Sequence, residues 1–126
     1  MKRKGYFERR RILKSSNYLD LTPVQVYGSE EENGLVVILI PKFTNVFLKQ
    51  AIGPYLKKPF IRLKLDELGS ETWKLINGVH KVDDICKRLT EIFGDRIQPV
   101  QERTTKFLTK LYHNDFITFK DILKEN

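Results

Sequence analysis

Between Phe60 and Leu65 the chain alternates strictly, with Ile61, Leu63 and Leu65 apolar and Arg62 and Lys64 basic. A period of two can serve both kinds of side chain only as a β-strand, with one face toward a core and the other toward water. One wet face belongs to an antiparallel sheet or an edge. Directly after this strand the pattern changes to helical spacing and stays there for three segments with readable ends. The first has Asp66 as N-cap, Glu67 and Glu71 where the helix dipole favours anions, and Gly78 at its end. Its stripe is Leu68, Thr72, Leu75 and Ile76, with Trp73 at the border and read as a core residue. The second starts at Asp83-Asp84, buries Ile85, Leu89, Ile92 and Phe93, and stops at Gly94. The third opens with Gln98-Pro99 and runs to His113, burying Val100, Thr104, Phe107, Leu108 and Leu111, with Asn114-Asp115 as a left-handed cap.

Upstream, Val24–Tyr27 reads as a short strand, Gly28–Gly34 as a polar loop, and Leu35–Ile40 as a strand buried on both faces and ended by Pro41. Together these predict a hairpin. Phe116–Phe119 is a last strand or an extended tail. The expected class is α+β: a small antiparallel sheet of about three strands with a three-helix, winged helix-turn-helix-like bundle. Thr44–Leu56 has helical spacing interrupted at Gly53-Pro54. The 126 residues therefore divide into a basic arm (1–16), one domain (17–119) carrying an inserted amphipathic segment (43–59), and a C-terminal tail (120–126).

Charge is unevenly placed. Residues 1–14 hold seven bases and one acid; residues 15–41 hold four acids and no base. Residues 42–65 hold six bases and no acid, and residues 66–126 ten bases against eleven acids. The net +7 thus comes from the arm and from the segment around the alternating strand. An element that enters a nucleic-acid groove normally carries the basic excess itself, so the near-neutral C-terminal half disfavours nucleic acid. The arm is chiefly a solvated tail, with an anionic membrane surface as its alternative target. The longest apolar run, Leu35–Pro41, is far shorter than the ~20 residues that span a bilayer. A single cysteine, Cys86, excludes an internal disulfide and, with no signal peptide read at the N-terminus, points to the cytoplasm.

Catalytic patterns are absent. His80 and His113 lack the close spacing of a zinc site, Cys86 reads as a packing residue, and no glycine-rich loop opens a helix as a phosphate cradle would. Asp83-Asp84 is explained by helix capping, since adjacent helical side chains diverge by about 100°. No cofactor is expected, and the chain reads as a non-enzyme.

Two surface features remain. The strand 60–65 can present an unpaired edge to another extended chain; a homodimer through that edge is one form of this. On the third helix Arg103, Lys106, Lys110 and His113 recur every three or four residues and share a face. Set beside one another, edge and stripe would form a positive-walled groove for an acidic, extended peptide.

The residues Leu65-Asp66-Glu67-Leu68-Gly69-Ser70-Glu71-Thr72-Trp73-Lys74-Leu75-Ile76-Asn77-Gly78, followed by Val82-Asp83-Asp84-Ile85, Leu89 and Phe93, resemble the coenzyme PQQ synthesis protein D (PqqD) family. Its pattern there is an N/D-E-x-G-x-x-x-W/L-x-L-x-x-G turn followed by T-V-x-E-I. Val100, Phe107-Leu108, Leu111 and Phe116-Ile117 are similar to its third helix and tail, and Leu19–Val24 and Ile40–Lys42 have its flavour. The resemblance spans about residues 17–119. Lys81 stands where the family often has Thr, Asp84 where it has Glu, and Asn114-Asp115 where glycine is frequent. The segment 43–59 and the arm are extra.

The resemblance implies a winged-helix precursor-peptide recognition element, which holds the leader of a ribosomally synthesised peptide as an added strand. Such an element presents the leader to a modifying enzyme, often of the radical S-adenosylmethionine (radical SAM) type. Carried onto this chain, the peptide would lie between strand 60–65 and helix 99–113. Arg62 and Lys64 would flank it, Arg103, Lys106 and Lys110 would attract acidic side chains, and Phe60 and Phe107 would border an apolar pocket. The rival from another class is a winged-helix DNA-binding protein that uses helix 99–113 and the basic arm.

Overall fold

A computed structural model describes residues 17–42 and 60–123. Five strands are present: β1 (Pro23–Gln25), β2 (Ser29–Glu32), β3 (Leu35–Pro41), β4 (Phe60–Lys64) and β5 (Ile117–Phe119). They form two antiparallel sheets, one of order β2-β3-β4 and one pairing β1 with β5. Helices α1 (Glu67–Leu75), α2 (Val82–Phe93) and α3 (Val100–His113) follow β4, and a short helical turn, α4 (Lys120–Leu123), closes the described chain. The α+β class is as expected, though with two small sheets.

The expected hairpin of 24–27 with 35–40 does not form. Val24 pairs with Thr118 of β5, and β3 takes as its hairpin partner Ser29–Glu32, a stretch read as loop. The turn is Asn33-Gly34, with φ of 55° and 80°. Two consecutive left-handed residues make the two-residue turn whose twist suits a hairpin, and Asn-Gly is its favoured sequence.

The helices begin and end close to their sequence signals. The Asp66 carboxylate accepts from the Gly69 amide at 2.7 Å, and the Asp84 carboxylate accepts from the Lys81 amide at 3.1 Å. Asp115 takes a left-handed φ of 68° after α3. Trp73 lies in the centre of the core, at 1% exposure, rather than at a stripe border. Its indole N–H donates to Ser29 Oγ at 3.1 Å, which satisfies the polar edge of a ring otherwise enclosed by apolar atoms. It belongs to one apolar core cluster with Val36, Ile38, Ile85, Leu89, Leu108 and Phe119. Ile92, expected on the buried side of α2, is exposed. The core continues beyond residue 119: Ile122 is buried, and the Thr22 amide donates to the Asp121 carboxylate at 2.8 Å. The arm 1–16, the amphipathic segment 43–59 and the end of the tail lie outside the described residues.

Candidate functional site

The hydrogen-bond phase of β4 follows from two bonds and the strand register. The Leu65 amide donates to the Val36 carbonyl at 2.8 Å, just beyond the pairs Val37–Lys64, Ile38–Leu63, Leu39–Arg62, Ile40–Ile61 and Pro41–Phe60. In an antiparallel ladder only every second pair exchanges hydrogen bonds. Ile61, Leu63 and Leu65 therefore turn their backbone groups toward β3, while Phe60, Arg62 and Lys64 turn theirs away. The Leu39 amide, donating to Gly28 on the opposite side of β3 at 2.9 Å, fits the same phase. Pro41, which has no amide hydrogen, sits opposite Phe60 in a pair that needs none. Among the described residues no strand lies on the outer side of β4.

The two faces of β4 differ. Ile61 and Leu63 share a face with Ile40 and Ile38, as the alternation requires. They are nevertheless 52% and 37% exposed, which corrects the expectation that they contact the core. The cover over this face comes from α1, and α1 is anchored on β2 and β3. Trp73 bonds Ser29, Lys74 pairs with Glu31 at 3.1 Å, and the Ser70 hydroxyl accepts from the Val36 amide at 2.8 Å. Only Leu65, one residue past the strand, reaches partial burial against the core.

On the other face Arg62 reaches across β3. Its guanidinium donates to Glu30 at 3.1 Å and to Glu32 at 2.9 Å, passing over the row that contains Leu39 and Val37. These hydrogen bonds, first to Glu30 and then to Glu32, raise its pKa above the ordinary value. Lys64 lies on the same face, opposite Val37, and has no ion-pair partner among the described residues.

On α3, Phe107 is half-buried at the edge of a cleft of about 180 Å³. Leu68, Gly69 and Thr72 of α1 form one wall, Thr104 and Phe107 of α3 the other, with Ile97 between them. Asp66 and Arg103 supply its charge. Gly69 makes the close approach of the two helices: a Cβ there would lie 3.5 Å from both Phe107 Cζ and Leu65 Cβ, and 3.0 Å from the Asp66 carboxylate. The cleft thus begins where β4 ends. Arg103 donates to the Arg96 carbonyl at 2.6 Å, and Arg96 in turn pairs with Glu67 at 2.9 Å. Lys106 and Lys110 are exposed and carry no ion pair among the described residues. His113 is half-buried beside the Tyr112 ring and departs from the exposed stripe.

The structure therefore brings Arg103 and Phe107 together at one cleft, with Lys64 two positions before its rim residue Asp66. Phe60 stands at the far end of β4, roughly 13 Å away along a strand, and is not among the residues that line the cleft. Sequence reasoning marks Asp66, Leu68, Gly69 and Thr72 as helix or motif residues and Ile97 not at all, and none of them as part of a binding site. A glycine inside a helical pattern was the available signal, because it marks a close approach.

Among the described residues no three or more His, Cys, Asp or Glu side chains are placed to hold a metal ion, and no helix is long and apolar enough to cross a membrane. Compared with known families, residues 62–117 match the one described as Coenzyme PQQ synthesis protein D (PqqD). That stretch runs from within β4 to the first residue of β5 and contains every candidate residue except Phe60. Neither the curated proteins nor the solved structures gave a match.

Proposed function

From the match of residues 62–117 to the PqqD family, we propose that the chain is a non-catalytic adaptor for a precursor peptide. It holds the leader as a strand added to β4, beside α3, and presents it to a peptide-modifying enzyme of the radical SAM type. The observation that carries this reading is the outward aim of the backbone groups of Phe60, Arg62 and Lys64 on an edge with no strand beside it among the described residues.

The size of the Phe107 cleft favours a peptide side chain over a drug-sized small molecule there. Pockets for drug-sized ligands run to ~300–1,000 Å³, and a cleft of about 180 Å³ suits a single side chain. An extended chain adds main-chain hydrogen bonds at roughly 0.5–1.5 kcal/mol net each. The ammonium groups of Lys64, Lys106 and Lys110, without ion-pair partners among the described residues, favour acidic residues, chiefly by steering encounter and selecting partners. Arg62 contributes its backbone to the edge while its side chain stays with Glu30 and Glu32.

The test is an amide-resolved NMR titration of the full chain with a synthetic acidic nine-residue peptide, repeated on a Lys106→Glu, Lys110→Glu variant. The expected result is shifts concentrated at Phe60, Arg62 and Lys64 and along α3, with weaker binding to the variant. Shifts confined to other elements, or unchanged affinity in the variant, would count against the adaptor. Strong salt-sensitive retention of duplex DNA in place of peptide would favour the winged-helix rival.

A further inference from the structure

Resting on the strand-addition reading, we infer that this edge selects a peptide whose side chains alternate, apolar on one face and acidic on the other, with Lys64 as the charge partner on the strand. A strand laid on β4 takes up the same pleat, so its alternate side chains stand beside alternate residues of β4. On one face those neighbours are Ile61 and Leu63, exposed apolar side chains that lead toward Leu65 and the Phe107 cleft. Apolar side chains there would remove this surface from water and complete the cover that α1 leaves unfinished.

On the opposite face the neighbours are Arg62 and Lys64, and their states differ. Arg62 is saturated by Glu30 and Glu32, so its surroundings hold two carboxylates against one guanidinium. An acid beside it gains nothing and meets repulsion. Among the described residues Lys64 has no such partner, so of the two cations on that face of β4 it is the one left to meet an acid. The pattern is therefore an acid flanked by two apolar residues, registered at the Lys64 end of the strand. Arg62 is a positioning residue: by tying β4 across β3 to β2, it holds in place an edge strand that the core does not cover.

The probes are two synthetic peptides of equal composition with glycine-serine flanks. In one, leucine, glutamate, phenylalanine, serine and leucine alternate; in the other the three apolar residues precede the glutamate and the serine. Fluorescence anisotropy with the full chain should show the alternating peptide binding about tenfold tighter, the scale of a few favourable cross-strand pairs. Lys64→Glu should invert charge preference, so that an alternating peptide with lysine for glutamate binds better than the parent. Methylating one alternate set of peptide amides should abolish binding, and methylating the other set should be tolerated. Equal affinity for the two isomers, or no inversion with Lys64→Glu, overturns the alternation rule even where the methylation pattern upholds strand addition. If both methylated sets bind like the parent, or neither isomer binds, the strand-addition reading falls and the rule falls with it.

Discussion

The Ser70 hydroxyl accepts the Val36 amide proton at 2.8 Å, and lies 3.4 Å from the Leu65 carbonyl, which it meets as a donor. One buried side chain from α1 thereby occupies the point where the β3–β4 ladder ends. Replacing it by alanine strands a buried amide, whose desolvation costs about 1–3 kcal/mol. Ser70→Ala should lower the unfolding free energy by that amount, read as a lower urea midpoint at unchanged slope. A change below ~0.5 kcal/mol would mean that the strand end re-pairs without α1.

Tyr18 gives the fold an alkaline limit. Its hydroxyl bonds Thr109 Oγ1 at 2.9 Å and its ring meets Phe119 edge-on at 5.7 Å. Burial outweighs the hydrogen bond and pushes its pKa up to about 12. An unfolded tyrosine ionises near 10. Below pH 10 both states keep the proton and stability is unaffected. Between 10 and 12 the unfolded chain releases it while the folded chain does not, so stability falls by up to roughly 2–3 kcal/mol. Tyr18→Phe should flatten this segment of the stability–pH curve relative to wild type, at the cost of one hydrogen bond at neutral pH. Parallel curves for the two proteins above pH 10 would refute the assignment.

These contacts show why some of the fold was legible in the sequence and some was not. Helices α1 to α3 could be read because their caps and stripes are local: Asp66 with Gly69, Asp84 with Lys81, Asp115 after α3. Strand β2 was hidden because Glu30, Glu31 and Glu32 look like a solvated loop. Their partners, Arg62 and Lys74, are more than thirty residues away or nearly so, and no local pattern announces them. The Asn33-Gly34 pair was the one local clue to that hairpin. The pairing of β1 with β5 joins the two ends of the described chain and has no local signature at all. At the candidate site, alternation and helical spacing located Lys64, Lys106, Lys110 and Phe107. The engagement of Arg62 and the exposure of Ile61 and Leu63 depend on where α1 and β2 come to rest.

Cys86 is buried on α2, and burial raises its thiol pKa above the usual range against a small opposing effect of the Thr104 hydroxyl. Thiolate is the reactive form, so both access and ionisation are withheld in the folded chain. A thiol reagent at neutral pH should label Cys86 only as fast as the fold opens, with the rate rising in urea in step with the unfolded fraction. Labelling at the rate of a free thiol in native buffer would place Cys86 on an accessible surface.

The most discriminating substitutions are at Ile61 and Leu63, because exposure separates stability from recognition there. At 52% and 37% exposure they lack the enclosure that makes core truncations cost ~2–5 kcal/mol. Ile61→Ser and Leu63→Ser should each change unfolding stability by about 0.5 kcal/mol or less, the range of surface substitutions. Leu89→Ala, in the fully buried centre of α2, should cost several times more. Peptide affinity should rank the other way. The serine variants should weaken binding of the alternating peptide several-fold, while the Leu89 variant, at a temperature where it remains folded, should bind as wild type. If Ile61→Ser and Leu63→Ser unfold the chain, these side chains belong to the core after all. If they leave both stability and affinity unchanged, the apolar face of β4 has no part in recognition, and the edge binds through backbone and charge alone.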